Sequence, residues 1–184
     1  MDKVKRIVVF GAGRIGRSFI AQLFSYAGYE VVLVDVDKIL IDRLNERKAF
    51  PVMIRDSKHS TEERTIEVKN ITAIHLDEED QIIAQIEEAD VLATSVGKNG
   101  LSGLTGILNR GIQSRYNRYP DDPIDIILAE NVRNAAEFLY SALLKGGAAY
   151  PVKTYVGLVE TSIGKMVPIM TAGDLEEDPL PRIC

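Results

Sequence analysis

The chain has 184 residues, of which 46% are hydrophobic and 27% charged, proportions that suit one soluble globular domain with a real core. A formal net charge of −5, with both signs interspersed, leaves no electrostatic footprint for nucleic acid or an anionic membrane. The single cysteine is Cys184, which leaves no intrachain disulfide, and Lys3, Lys5 and Arg6 lead into a short strand with no signal-like or membrane-length apolar run, so a cytoplasmic location is expected.

Ile7 to Phe10 reads as an apolar strand that runs straight into Gly11-Ala12-Gly13-Arg14-Ile15-Gly16. A helical pattern follows, with apolar residues at Ile15, Phe19, Ile20, Leu23 and Phe24 and a stop at Gly28. A strand, a glycine turn and a helix in this order are the setting of a dinucleotide's phosphate grip, the alternative being a glycine triplet of an ordinary turn. Gly11 allows the tight turn, Gly13 leaves the pyrophosphate unobstructed and Gly16 lets the helix lie close to the strand. Amide hydrogens of Arg14 and Ile15, at the positive end of the helix dipole, complete the expected phosphate contacts.

Glu30 to Val34 is a buried-strand run ending in Asp35-Val36-Asp37, and Asp35 falls close to the ribose-binding offset of about twenty residues. A carboxylate there accepts from the adenosine ribose hydroxyls and repels a 2′-phosphate, which favours NAD over NADP, with Val36 beside it; the alternative is a strand-end cap in solvent. Lys38 to Lys48 repeats the helical spacing. Pro51 to Ile54, Thr65 to Val68 and Ile71 to His75 are short and β-branched with polar linkers, and predict a small antiparallel excursion. His59 and His75 lack a histidine or cysteine at ligand spacing and read as structural or solvent-facing, so no metal site is expected.

Glu78 to Glu88 predicts a surface helix and Ala89 to Thr94 a buried strand, with Ser95-Val96-Gly97 at its exit. Thr94, Val96 and Gly97 are expected to border the middle of the dinucleotide, the alternative being an ordinary strand-to-helix turn. Leu101 to Tyr116 predicts one helix, interrupted by glycines, and Arg110, Arg115, Tyr116, Arg118 and Tyr119 form a basic-aromatic patch without a recognised RNA module. After a turn at Tyr119 to Pro123 come a strand at Ile124 to Leu128, then Ala129-Glu130-Asn131, then a helix from Val132 to Lys145 closed by Gly146-Gly147. Asn131 is either the cap of that helix or an amide donor to a substrate oxygen. Val152 to Val159 predicts the last strand, continuing through Glu160 to Pro168, and the acidic, proline-punctuated stretch from Thr171 to Cys184 has no core-forming period.

Several of these segments together resemble the polyol dehydrogenases of the mannitol-1-phosphate 5-dehydrogenase and mannitol 2-dehydrogenase group, most closely the first. They are Phe10 to Ile20, Asp35-Val36-Asp37, Thr94-Ser95-Val96-Gly97, Ile127-Leu128-Ala129-Glu130-Asn131, and Val156 to Glu160 running to Met166-Val167-Pro168. The resemblance implies a Rossmann-like α/β fold, a doubly wound and mostly parallel sheet with the small antiparallel insertion. Residues 1–170 would form the dinucleotide-binding domain, and 171–184 a tail leading toward a second, mainly helical domain. That second domain would carry a lysine base with a neighbouring asparagine and histidine, so a chain without it would bind cofactor but not turn over.

The implied cofactor is NAD, held by Gly11, Gly13, Arg14, Ile15, Gly16, Asp35, Val36, Thr94, Val96, Gly97, Glu130 and Asn131, with Asn131 also the one catalytic donor. The implied substrate is a sugar alcohol or its phosphate, with no nucleic-acid or membrane partner, and apolar surface left by an absent domain would favour self-association. Lys165 stands where the family usually has arginine, Gly164 where it has aspartate, Arg14 where asparagine is frequent and Ala129 where cysteine is. A second function class, a non-catalytic nucleotide-sensing module that regulates a partner, shares the glycine turn and acidic strand end but gives no reason for Glu130-Asn131 or for residues 156–168.

Overall fold

The computed structural model describes residues 3–55, 63–130 and 132–164. Six strands form one parallel sheet: β1 (Arg6–Phe10), β2 (Glu30–Asp35), β5 (Ile71–His75), β6 (Val91–Thr94), β7 (Ile124–Leu128) and β8 (Val156–Glu160). Their order, β5-β2-β1-β6-β7-β8, places the chain reversal between β1 and β6, where a doubly wound sheet opens its ligand crevice. The central strands are apolar throughout because both faces are covered. Val8 and Phe10 face α3 (Glu79–Glu88), α5 (Thr105–Arg118) and α6 (Ala135–Lys145) through Ile82, Ile86, Leu108, Ile112 and Leu139. Ile7 and Val9 face the opposite layer, with Ile20, Ile41 and Leu44. Each such buried side chain stabilises the fold by about 1.5–3 kcal/mol.

The helix after the glycine turn is helical from Arg14, widens into a π-helical stretch at Gly16–Ala21 and ends as α1 (Gln22–Tyr26). α2 (Lys38–Arg47) is capped by the Asp37 carboxylate, which accepts from the Leu40 amide at 3.1 Å, and closes at Lys48 in the left-handed region. The antiparallel excursion is real but smaller than expected. β3 (Phe50–Arg55) and β4 (Glu63–Val68) pair antiparallel, whereas Ile71 to His75 pairs parallel with β2, Leu33 opposite Ala73. Short β-branched runs signal a strand but not its direction; here Asn70, at φ 57°, turns the chain out of the ribbon and back to the sheet edge. On that edge the Asn45 side chain bonds both backbone groups of Ala73, donating to its carbonyl at 2.7 Å and accepting from its amide at 2.8 Å.

Two helical expectations and one strand shift. The helix expected over 101–116 is two: α4 (Gly97–Gly103) and α5, joined at Leu104. The helix expected from Val132 starts at Ala135, after Asn134 takes a φ of 58°. Residues 152–155 form a helical turn, α7 (Val152–Tyr155), so the last strand is β8 alone. Among the described residues, no helix is long and apolar enough to cross a membrane.

The amino ends of the strands are closed by ion pairs. Arg115, 4% exposed, donates through Nη1 to the carbonyls of Glu87 and Ala89, both at 2.8 Å, and through Nη2 to Asp122. Arg118 pairs with Glu87 and Glu88, Arg6 with Glu30 at 2.8 Å, and Lys3 with Glu88 at 3.3 Å. With Arg110 paired to Glu79 and Tyr116 packed edge-on against Tyr155, the basic-aromatic patch is an internally neutralised part of the scaffold.

Candidate functional site

The glycine turn sits at the carboxyl end of β1, between β2 and β6. Gly11, at φ +98°, donates its amide to the Val34 carbonyl at 2.8 Å and accepts from Ser95 Oγ at 3.0 Å. A Cβ on Gly11 would lie 2.6 Å from the Ser95 carbonyl oxygen, and one on Gly16 would lie 1.8 Å from the Gly11 carbonyl oxygen. Both glycines are therefore fixed by close backbone approach within the protein. A Cβ on Gly13 would meet nothing within 4 Å, so the open side of the turn is at Gly13, facing the crevice.

Asp35 is tied to that turn. Its Oδ2 accepts from the Ala12 amide at 2.6 Å, while Oδ1 accepts from the Val36 and Asp37 amides at 2.8 and 3.0 Å. The carboxylate thus bridges the glycine turn and the turn into α2, which a cap in open solvent would not do. A carboxylate offers about four acceptor positions; three are taken by these amides, which leaves one on Oδ2. A cavity of about 400 Å³ collects Gly11, Gly13, Asp35, Val36, Ser95 and Val96, with Leu76 and Leu104 as its apolar floor. His75 Nε2 donates to the Val36 carbonyl at 2.9 Å and the Asp77 amide lies 3.3 Å from its Nδ1, so the ring ties the loop after β2 to the turn after β5. His59 lies outside the described residues, among which no cluster of His, Cys, Asp or Glu side chains could hold a metal.

Sequence reasoning missed Arg17. It follows Gly16 directly, is 5% exposed, and donates Nε–H to the Ala12 carbonyl at 2.6 Å. Burial lowers its pKa to about 10, against the opposing pull of the Asp35 and Asp37 carboxylates, so it stays cationic at neutral pH. Only its basicity next to a phosphate grip could have flagged it, and an arginine in a first helical turn is otherwise an ordinary surface residue.

On the other side of the crevice, Thr94, expected to border the dinucleotide, is instead fully buried and lines neither cavity; its carbonyl accepts from the Ala129 amide at 2.9 Å. Glu130, 8% exposed, accepts from the Val96 amide through Oε1 at 3.0 Å and from the Gly97 amide through Oε2 at 2.7 Å. It fixes the turn into α4, where Gly97 takes φ +75°. A second cavity of about 480 Å³ is lined by Ile15, Ala129, Glu130, Arg133, Glu160 and Ser162. Glu160 accepts from the Ala135 amide at 3.3 Å. Arg14 is exposed beside the turn. Asn131 and the segment Lys165 to Pro168 lie outside the described residues. A larger depression of about 760 Å³ opens at the amino ends between Arg6, Glu30, Lys48 and Lys69, where no glycine turn faces it.

The chain is 31% identical over 176 residues to a mannitol-1-phosphate 5-dehydrogenase from Enterococcus faecalis, covering 94% of this chain and 44% of that protein. It is 35% identical over 162 residues to one from Caldanaerobacter subterraneus, covering 86% of this chain and 41% of that protein. The chain therefore spans less than half the length of these curated relatives. Among solved structures, a UDP-glucose dehydrogenase from Pyrobaculum islandicum matches with a TM-score of 0.58 at 12% identity, covering 91% of this chain and 36% of that one. An octopine dehydrogenase solved with NADH and agmatine matches with a TM-score of 0.58 at 13% identity, covering 84% of this chain and 34% of that one. These two likenesses concern the fold. The family model described as the mannitol dehydrogenase Rossmann domain matches residues 5–184, and with the sheet order and the glycine turn in agreement, the chain belongs to the mannitol dehydrogenase family.

Proposed function

We propose that this chain is the NAD-binding part of an oxidoreductase that interconverts a sugar alcohol phosphate, mannitol 1-phosphate first among the candidates, and its keto sugar, fructose 6-phosphate. The observation that carries the cofactor assignment is Asp35, a carboxylate at the carboxyl end of β2 that lines the same cavity as Gly13 and has one acceptor position left by its three amide donors. Arg14, Ile15 and Gly16 would present first-turn amides to the pyrophosphate; Val36, Val96 and Gly97 would border the rest of the dinucleotide. Glu130 acts on the cofactor by holding the Val96 and Gly97 amides in place.

Bound NAD would supply the hydride acceptor. The chain's part in the chemistry is to orient the reacting carbon and to donate to its oxygen, a role we give to Asn131, next to Glu130. The substrate would lie over the second cavity, between Ile15, Arg133 and Ser162. The base that takes the hydroxyl proton is assigned to a helical domain outside this chain, so the chain by itself binds without turnover. Residues 1–170 would form the binding domain and 171–184 the tail toward that second part, in a cytoplasmic protein. Family membership favours this reading over a non-catalytic nucleotide-sensing module.

Calorimetry with NADH and NADPH tests the assignment. NADH is expected to bind at least about tenfold tighter, a difference of about 1.4 kcal/mol; equal or tighter NADPH binding rejects the role of Asp35. Gly13→Val should leave the melting temperature nearly unchanged, because a Cβ there meets open space, and should abolish NADH binding. If affinity survives, the phosphate grip lies elsewhere.

A further inference from the structure

We propose that Arg17 is a positioning residue for the dinucleotide: with Asp35 it clamps Ala12 from both sides and so aims the Gly13 amide at the pyrophosphate. The inference rests on the dinucleotide reading of the glycine turn and adds a residue that the fingerprint does not contain. The Ala12 amide is held by Asp35 Oδ2 and the Ala12 carbonyl by Arg17 Nε, each at 2.6 Å. A trans peptide is planar, with its N–H and C=O on opposite sides. The Ala12 carbonyl is drawn inward to the buried guanidinium, so the N–H of the same peptide unit, which belongs to Gly13, points outward. Among the described residues the Gly13 amide has no hydrogen-bond partner, and the space beside it is open. Arg17 thereby converts a conformationally free glycine into a fixed donor.

The cost of this arrangement is informative. Arg17 is nearly inaccessible to solvent, and among the described residues its buried Nη1 has no hydrogen-bond partner. Burying a charge with an unmet donor opposes folding, and an apolar side chain of similar length would fill the space without that penalty. Asp35 and Asp37 offset part of the charge at a distance. Asp35 is therefore shared: the carboxylate that would accept from the ribose also anchors Ala12 and balances Arg17. Ribose and pyrophosphate contacts are thus coupled through one residue, and losing Arg17 should be felt at the phosphates.

The test uses the full chain with ADP-ribose and with adenosine, which shares the base and ribose but has no phosphate. Affinities are measured by calorimetry and by NMR titration, and the melting temperature is recorded for each variant. Arg17→Met is expected to lose at least about tenfold in ADP-ribose affinity, with adenosine affinity within about twofold of the parent chain, and Arg17→Lys to recover most of the loss. If the Met variant does not fold, Arg17→Gln, which keeps a donor for the Ala12 carbonyl without the charge, should still lose about threefold or more for ADP-ribose alone. Unchanged ADP-ribose binding in the variants overturns the proposal, as does an equal loss for both ligands, which would mark general damage. Failure of the parent chain to bind ADP-ribose overturns the dinucleotide reading itself and this proposal with it.

Discussion

At the amino ends of the strands, the carboxylates of Glu30, Glu87, Glu88 and Asp122 meet arginine and lysine side chains, whereas at the carboxyl ends Asp35, Glu130 and Glu160 accept from backbone amides. Long, mostly exposed arms that meet one another give up side-chain freedom and are screened by salt, so they adjust stability without fixing a shape. A carboxylate bonded to main-chain N–H groups fixes the turn that carries them. One edge is therefore closed by replaceable charge pairs, and the other holds its turns ready before a ligand arrives. The amino edge has two exceptions, Arg115, which is buried and bonded to two carbonyls, and Asp90, whose carboxylate accepts from the Arg6 amide at 2.7 Å.

Substitutions at the two edges can break or sharpen this contrast. Gly16→Val should have the largest effect, since even a Cβ would lie 1.8 Å from the Gly11 carbonyl oxygen. It is expected to lose NADH binding and much of the cooperative melting transition together, and a normally folded variant that binds NADH would refute the close-packing role. Arg115→Met leaves the Glu87 and Ala89 carbonyls unpaired and should cost about 2–3 kcal/mol in urea unfolding, while NADH affinity stays within about twofold, because the site is distant. A matching loss of affinity would mean that the two edges are not independent.

Glu130→Gln should do the reverse. It keeps one acceptor, now neutral, and turns an NH2 donor toward the other of the Val96 and Gly97 amides, so NADH affinity should fall about tenfold, with a stability loss of about 1–2 kcal/mol. The smallest effect is expected for Arg118→Ala. The Ser114 hydroxyl and then Arg118 hold the Glu87 carboxyl below its ordinary value of 4.5, so the stability it contributes is present above that pH and lost as pH falls through its lower folded value. Removing Arg118 should raise the pH at which acid unfolding begins, an effect that high salt erases; an unchanged acid limb would show the pair to be inert.

The central sheet was legible in the sequence because its strands are apolar runs bounded by turn residues, and the glycine turn because Gly11, Gly13 and Gly16 lie between a strand and a helix. The direction of Ile71 to His75 was not legible, since parallel and antiparallel edges draw on the same β-branched residues and the choice is made by register against β2. Leu104 divides two helices without a proline, and Val152 to Tyr155 turns once before the strand begins; both are set by packing on the sheet. At the site, residue types pointed to Asp35 and Glu130 as possible ligand contacts. Their backbone partners could not be foreseen, because each bond spans more than twenty residues of sequence, except where Asp35 holds its own neighbours.

The two hydrogen bonds between Asn45 and Ala73 have a consequence for assembly. Because the Asn45 amide occupies both outward-facing groups of Ala73, it stands where the backbone of another strand would run, and β5 offers no continuous template there to a second molecule. That stretch of the margin is sealed by a side chain borrowed from α2, so a single asparagine closes the sheet at Ala73 to the pairing by which one molecule's edge extends another's.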